Sequence, residues 1–486
     1  MLQRGLMTLG LLASLTACGG LPPLDGRSVS SAPTDTEDTR LGHAIAPHAA
    51  QHPGLSGIRM LPDAHEAFAA RMLLAALRAA AERGVRVRLL LDDNGIAGLD
   101  DTLAALNAHP NIEVRLFNPF VMRGSRALGY LTDFSRLNRR MHNKSFTADN
   151  QAAIVGGRNI GDEYFGAGDG TLFVDLDVIA VGPVVREASR DFDRYWASRS
   201  AYPLELIVAA VEPARQAELT ARLAQAEREP ASAAYVNAIR ETRLVQQLVE
   251  GQLDLEWAAT RMVSDDPAKG LGRVADGSAG LLQTQLEKVI GHPDAELALV
   301  SAYFVPTAAG TDAIAALARR GVKVSILTNA LEATDVAPVH AGYAKRRKAL
   351  LDAGVALWEL RRTTPRPESR GGLGGSSASS LHAKTFVVDR SRIFVGSFNF
   401  DPRSLALNTE LGFVINSPVL AGNAAAIFEQ GLREHAYEVQ LDEGGRLIWL
   451  EQRGSELLRH EVEPGTGFWQ RAAVWFLSLL PIEWLF

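Results

Sequence analysis

Two histidines, two lysines and two asparagines recur at one spacing. His142, Lys144 and Asp149 form His-x-Lys-x4-Asp, and His382, Lys384 and Asp389 repeat it. Asn159 and Asn399 each follow their histidine by 17 residues, and Gly156 and Gly396 follow by 14. One copy of such a pattern is weak, because each residue type is common on surfaces. Two copies with matched glycine and asparagine are a specific signal. Gathered in one cleft, two ammonium groups and two amides can surround a phosphate and stabilise charge growing on its non-bridging oxygens. One imidazole can attack phosphorus while the other protonates the leaving alkoxide, roles that suit a side chain titrating near neutrality. Carboxylates after each motif can hold the ring tautomers. Asp177 and Glu410, each ahead of an apolar strand, are the candidates. Such chemistry requires no metal ion and no cofactor.

The chain that must position these residues has 486 of them, enough for two to three packed units or one large duplicated body. A hydrophobic share of 47% with 22% charged residues excludes wholesale disorder. The net charge of −6 gives no global attraction for nucleic acid, although a local basic pocket can hold one phosphate. Lysine occurs at only seven positions, and two of them lie in the repeated motif.

Cys18 is the only cysteine, so no intramolecular disulfide is possible. It closes the apolar run 5–17 behind Arg4, a run too short to span a bilayer. Leu15-Thr16-Ala17-Cys18 resembles a bacterial lipobox. The expectation is a signal peptide over 1–17 and a lipid on Cys18, with an ordinary signal peptide or a chance apolar start as the alternatives. By resemblance to bacterial lipoproteins, Gly19 in place of an aspartate favours the outer membrane, so the expected address is the periplasm-facing envelope of a Gram-negative-type bacterium. Residues 21–39, rich in Pro, Ser, Thr and Asp, read as a flexible part of a lipidated tether spanning 18–54.

From residue 55 the sequence alternates helix and strand patterns, the signature of an α/β body. A helix over 64–83, a strand over 85–91, a short helix over 103–108 and a strand over 112–117 lead to His142. Helix 311–320, strand 322–327, helix 339–352 and strand 355–360 lead in the same order, through a Gly/Ser-rich loop at 371–380, to His382. The spacing therefore predicts a duplication, with a first half and its helical connector over 55–265, a second half over 266–440, and a C-terminal segment over 441–486. The connector 183–251 has helical spacing, with Phe192 and Trp196 on one buried stripe. The second half has a strong strand at 296–306 ahead of its helix. The first half offers only 57–61 there, one strand fewer. Three of the seven tryptophans (Trp469, Trp475, Trp484) fall in the last 20 residues, in a run too short to cross a bilayer, which suits either the headgroup region or docking on the body.

The paired motifs, with Gly156-Gly157-Arg158-Asn159 and Gly396-Ser397-Phe398-Asn399 behind them, resemble the phospholipase D superfamily. More narrowly, 138–144, 157–165, 380–386, 399–404 and 479–483 resemble its bacterial C-type cardiolipin synthase branch. The resemblance spans residue 55 to the C-terminus. It implies a duplicated α/β/α sandwich of two pseudo-symmetric halves with the active site between them. It further implies that His142 is the nucleophile that forms a phosphohistidine and His382 the acid, with Lys144, Lys384, Asn159 and Asn399 as phosphate ligands. In the family, Asp149 and Asp389 are mainly structural. The implied reaction moves a phosphatidyl group from phosphatidylethanolamine to a lipid hydroxyl such as that of phosphatidylglycerol, at a membrane and without nucleic acid. Hydrolysis of phospholipid, a nuclease and an inactive tethered scaffold remain as alternatives. Family members carry an aromatic strand between the segments matching Met60 and Met72, which this chain lacks.

Overall fold

The computed structural model describes residues 20–62, 74–159, 175–226, 243–274, 277–334, 336–362, 381–481 and 483. The expected signal peptide and Cys18, most of the loop before His382, the first part of the 64–83 helix, Trp484 and the stretch 63–73 lie outside these residues.

In the middle of the main sheet the Val- and Ile-rich runs 152–156, 177–181, 384–388 and 411–415 are buried at every position, as a sheet covered on both faces requires. The first half supplies β1 (Ser56–Leu61), β2 (Val87–Asp92), β3 (Ile112–Phe117), β4 (Ser145–Ala148), β5 (Ala152–Gly156), β6 (Asp177–Val181) and β7 (Ala201–Pro203). After β8 (Glu256–Ser264), the second half supplies β9 (Glu296–Ser301), β10 (Lys323–Asn329), β11 (Ala356–Leu360), β12 (Lys384–Val388), β13 (Arg392–Gly396) and β14 (Leu411–Asn416). Three further strands, β15 (Ala436–Leu441), β16 (Leu447–Arg453) and β17 (Glu456–His460), extend its edge. Among the described residues one 14-stranded sheet runs β17-β16-β15-β11-β10-β9-β12-β13-β14-β8-β1-β6-β5-β4. It joins the halves through β8, which pairs with β14 on one side and β1 on the other. Its core side chains include Val155, Val178, Ile393, Val395 and Phe413, drawn from both halves into one cluster.

A separate sheet of order β2-β3-β7 completes the first half. In the second half β9 lies between parallel β10 and antiparallel β12. The corresponding neighbours in the first half are β2 and β4, and among the described residues β2 pairs only with β3 and β4 only with β5. The first-half sheet is thus divided where the second half has β9.

The segment expected to be a flexible tether is instead fastened to the first half. Arg115 Nη2 donates to Ser28 O at 2.7 Å, Arg88 Nη1 to Ser30 O at 3.1 Å and Trp196 Nε1 to Ser30 Oγ at 3.1 Å. Further on, Asn150 Nδ2 donates to Pro33 O at 3.2 Å and Gln151 Nε2 to Thr36 Oγ1 at 2.9 Å. Polar composition suggested mobility, but a serine-rich backbone is also a row of acceptors, and arginines on β2 and β3 supply the donors. The strap touches both pieces of the divided sheet. Thr39 then caps the helix Arg40–Gln51, whose Ile45 is buried against Ala152 and Val181.

The connector also departs from its expectation. Phe192 and Trp196 do stack on the helix Pro183–Trp196, at 5.7 Å between ring centroids, with Trp196 buried. Ala201–Pro203, however, is the edge strand β7 on β3 and not a continuation of the helix, since Pro203 cannot sit in a helix interior. The expected helix 339–352 is two helices, Ala337–Ala344 and Arg347–Asp352.

Candidate active site

The matched glycines mark the point where neighbouring strands come closest. Gly156 faces Asp177 across β5 and β6, and Gly396 faces Gly412 across β13 and β14. A Cβ on Gly396 would lie 2.3 Å from Leu411 O, and one on Gly156 would lie 1.8 Å from Asp177 Oδ1. Asn159 and Asn399 each stand three residues beyond their glycine.

Each histidine begins the strand-forming run that follows it, and each is held by a carboxylate from the opposite half. His142 Nδ1 donates to Glu410 Oε2 at 2.9 Å, while its backbone N–H donates to Thr409 O at 2.9 Å. His382 Nδ1 donates to Asp175 Oδ2 at 2.7 Å. With Nδ1–H committed in both rings, Nε2 carries the lone pair, the tautomer that a nucleophile or a proton acceptor at Nε2 needs. Lys144 Nζ donates to His142 O at 2.7 Å, and Lys384 Nζ donates to His382 O. Lys384 is buried at 1% exposure, an ammonium kept from water beside an imidazole. The charge of Lys384 reaches His142 and that of Lys144 reaches His382, so the four groups share one cleft. Asn399 is buried with Oδ1 unpartnered among the described residues; a flip exchanges that oxygen with the amide nitrogen, so this amide suits a ligand.

Glu410 was anticipated, and the carboxylate expected beside it in the first half was not the one that reaches a ring. Asp177 is bound to the buried guanidinium of Arg158, with Nη1 donating to Oδ2 at 2.9 Å. Asp175 holds His382. The register decides this: opposite Gly156 stands Asp177, opposite Gly396 stands Gly412, so the counterpart of Glu410 is two residues before Asp177. The pair Asp175-Leu176 matching Glu410-Leu411 was the available signal. Asp149 and Asp389, members of the repeated motif, are not in the cleft. They open the three-residue β4–β5 and β12–β13 turns at φ 52°, followed by Asn150 at 53° and Arg390 at 48°, and each turn closes through a backbone bond, Gln151 N–H to Ala148 O at 3.0 Å and Ser391 N–H to Val388 O at 3.1 Å. Asp389 accepts backbone N–H bonds from Ala295 at 2.8 Å and Glu296 at 2.9 Å, about 20 Å along the strand from His382. Burial opposes its charge, but these donors and Arg392 hold the carboxyl below its ordinary value.

Several groups around Glu410 escaped the sequence reading. Ser397 Oγ donates to Oε2 at 2.5 Å and Ser404 Oγ to Oε1 at 3.0 Å. The Glu410 backbone N–H donates to Asp265 Oδ2 at 2.9 Å, and Asp265 is paired with buried Lys269 at 2.9 Å. Burial pushes Asp265 up to about 6. No repeat marks Asp265 or Lys269, which lie far from both motifs in sequence.

Electrostatics set both imidazoles toward the neutral form. Burial lowers His142, and Lys144 and Lys384 add to it against the pull of Glu410. Burial and Lys384 lower His382 against the pull of Asp175. Burial also opposes the charge on Glu410, but His142, Lys144 and the Ser397 hydroxyl outweigh it and keep the carboxyl below its ordinary value. An oxyanion between the lysines cancels the charge that disfavours imidazolium, so the histidine values rise on binding. Titration with sulfate near pH 7, followed by calorimetry in buffers of different ionisation enthalpy, is expected to show net proton uptake of up to about one per site. Sulfate binding without proton uptake would contradict this electrostatic reading.

The sequence matches the profile of the family described as "Cardiolipin synthase, PLD-like domain" over residues 64–196 and 286–432. It is 47% identical over 475 residues to cardiolipin synthase C of Escherichia coli (strain K12), covering 92% of this chain and 99% of that protein. An uncharacterized protein of Helicobacter pylori (strain ATCC 700392 / 26695) is 32% identical over 408 residues, covering 83% of this chain and 79% of the relative. Among solved structures, a phosphatidylserine synthase of Haemophilus influenzae Rd KW20 aligns with 81% of this chain and 92% of its own, at a TM-score of 0.47 and 17% identity.

Proposed function

Since the chain belongs to the cardiolipin synthase, phospholipase D-like family, we propose that it is a phosphatidyltransferase that makes cardiolipin from two phospholipids through a phosphohistidine. The observation that carries the mechanism is the crossed pairing, His142 with Glu410 and His382 with Asp175, which gives one cleft two imidazoles with Nε2 available.

In the first step Nε2 of His142 attacks the phosphorus of phosphatidylethanolamine. The N–P bond forms, the bond from phosphorus to the ethanolamine oxygen breaks, and protonated His382 gives its proton to that oxygen. The imidazole of the intermediate is positively charged, and Glu410 at Nδ1 stabilises it. Lys144, Lys384, Asn159 and Asn399 hold the non-bridging oxygens, whose charge grows in the transition state. In the second step His382, now neutral, takes the proton of a phosphatidylglycerol hydroxyl. The new O–P bond forms, the N–P bond breaks with its electron pair returning to Nε2, and cardiolipin leaves. The hydroxyl must outcompete water, which burial of the site favours.

A lipid on Cys18 would hold the enzyme at the periplasmic face of an envelope membrane, with the outer membrane as the address that Gly19 supports. Among the described residues no helix is long and apolar enough to cross a bilayer. Incubating the chain with labelled phosphatidylethanolamine, with and without phosphatidylglycerol, tests the reaction. Cardiolipin that requires both lipids is expected. Phosphatidic acid as the sole product would replace transfer with hydrolysis, and no product from any phosphodiester would leave a scaffold.

A further inference from the structure

All five exposed phenylalanine and tryptophan side chains among the described residues lie on two helices. Exposed Leu128 and Leu131, the latter 82% exposed, lie on the helix Arg126–Leu137, and Phe134 follows a break in it at Asp133. Phe468, Trp469, Trp475 and Phe476 are on the helix Phe468–Leu479, together with exposed Leu479. The second helix is not short of a packing partner, because Val474 and Leu477 on its other side join Leu331 and Ala341. Its aromatic face is surplus to folding. Water-exposed tryptophan and phenylalanine on a helix that is anchored along its opposite face suit the boundary between headgroups and acyl chains.

The two helices flank the catalytic cleft. Asn138 caps the first of them four residues before His142, and Arg403 of the second half holds it through Nη1 at 2.9 Å and Nη2 at 2.7 Å. The second helix bonds Leu331 O through Gln470, two residues beyond Asn329. Asn329 in turn accepts from Leu381 N at 3.0 Å and donates to Leu381 O at 3.0 Å, so it fixes the residue next to His382.

A further observation points to the occupant: the described chain enters at this end. Arg27 is bonded to Ser198 O at 2.6 Å and Ala201 O at 3.0 Å, and Ala201 pairs with Phe117, the last residue of β3 before the Arg126–Leu137 helix. Cys18 is nine residues earlier, within about 30 Å of Arg27 even when fully extended.

We propose that this end of the molecule is a bilayer-docking face, in which Leu128, Leu131 and Phe134 on one side of the cleft and Trp469, Trp475 and Phe476 on the other enter a phospholipid surface. The cleft between His142 and His382 then opens onto the lipid plane, and a phospholipid reaches phosphorus-attack distance without leaving the bilayer. The proposal deepens the phosphatidyltransferase reading and rests on it for the reason a bilayer is the partner.

The test uses the mature chain from residue 18 with Cys18→Ser, so that neither the apolar run 5–17 nor a lipid contributes, and sucrose-loaded vesicles of phosphatidylethanolamine and phosphatidylglycerol. The chain is expected to co-sediment, and acyl-brominated lipids are expected to quench its tryptophan fluorescence. The variants Leu131→Ser/Phe134→Ser and Trp469→Ser/Trp475→Ser/Phe476→Ser are each expected to weaken vesicle binding at least about tenfold, with turnover of a monomeric short-chain phospholipid and the melting temperature unchanged. Vesicle binding as in the parent chain, or no quenching of the parent chain, overturns the proposal. So does a loss of self-association in vesicle-free buffer with vesicle binding retained, which would make the face a contact between copies. Docking through these residues by a chain that turns over no phospholipid would leave this face standing and remove the catalytic reading alone.

Discussion

His142→Ala and His382→Ala each reduce phosphatidyl transfer by about 10⁴-fold or more, and the double variant is little worse than either single one. The expectation follows from the shared cleft. Nucleophile and acid act on one phosphorus within one step, so removing either abandons the covalent route and the second loss has nothing left to take away. The side chains are also packed differently, His142 at 24% side-chain exposure and His382 at 9%. The more open ring is the easier one for an incoming phosphodiester to meet, which agrees with His142 as the nucleophile. Brief incubation with phosphatidylethanolamine labelled in its phosphatidyl group, followed by alkaline quench and peptide mapping, is expected to place the label on 142. Label on 382 would exchange the two roles, and single variants with independent, multiplying losses would remove the common step.

Asp175→Asn and Asp177→Asn are expected to fail in different ways although they are two residues apart. The first removes the acceptor of His382 Nδ1–H and lets the ring take the wrong tautomer, so kcat falls by about 10²- to 10⁴-fold while the protein stays folded. The second takes away the Oδ2 that accepts from Arg158 Nη1 at 2.9 Å, where the guanidinium is only 1% exposed. Breaking such a pair costs about 3–5 kcal/mol of stability, and the fraction that remains folded keeps its turnover. Denaturant unfolding beside active-site-normalised kinetics separates the two. If Asp177→Asn were the variant with a kinetic defect and unchanged stability, the register that makes Asp175 the partner of Glu410 would be wrong.

Other parts of the molecule show where sequence reading works. The strand Ile112–Phe117 matches its expectation residue for residue, and the β10 and β11 runs shift by only one or two, because a continuous β-branched and leucine stretch closed by turn residues has few alternatives. Residues 21–39 misled for the opposite reason. Their composition describes what a segment does alone, whereas their place on the first half is set by Arg88, Arg115 and Trp196, which stand 58 to 166 positions away. The strands β15 to β17 went unanticipated because nothing in the duplicated pattern extends to them.

For the candidate site, the sequence determined which residue types recur at one spacing. The doubled His-x-Lys with its downstream asparagine is a statement about spacing, and spacing along one strand and one turn survives folding unchanged. The matched glycines were legible too, although only the paired strands show that they stand where a Cβ has no room. What the tertiary structure alone decided is who holds whom. Each imidazole of the candidate site is oriented by a carboxylate from the other half, across 268 positions for His142 and 207 for His382. Such pairings depend on the register of β5 with β6 and of β13 with β14, on the packing of the halves through β8, and on Asp265 and Lys269 behind Glu410. A one-residue slip in any of these moves a side chain to the opposite face. Local spacing names the reactants of the site, and only the packed sheet fixes the bonds that set their protons.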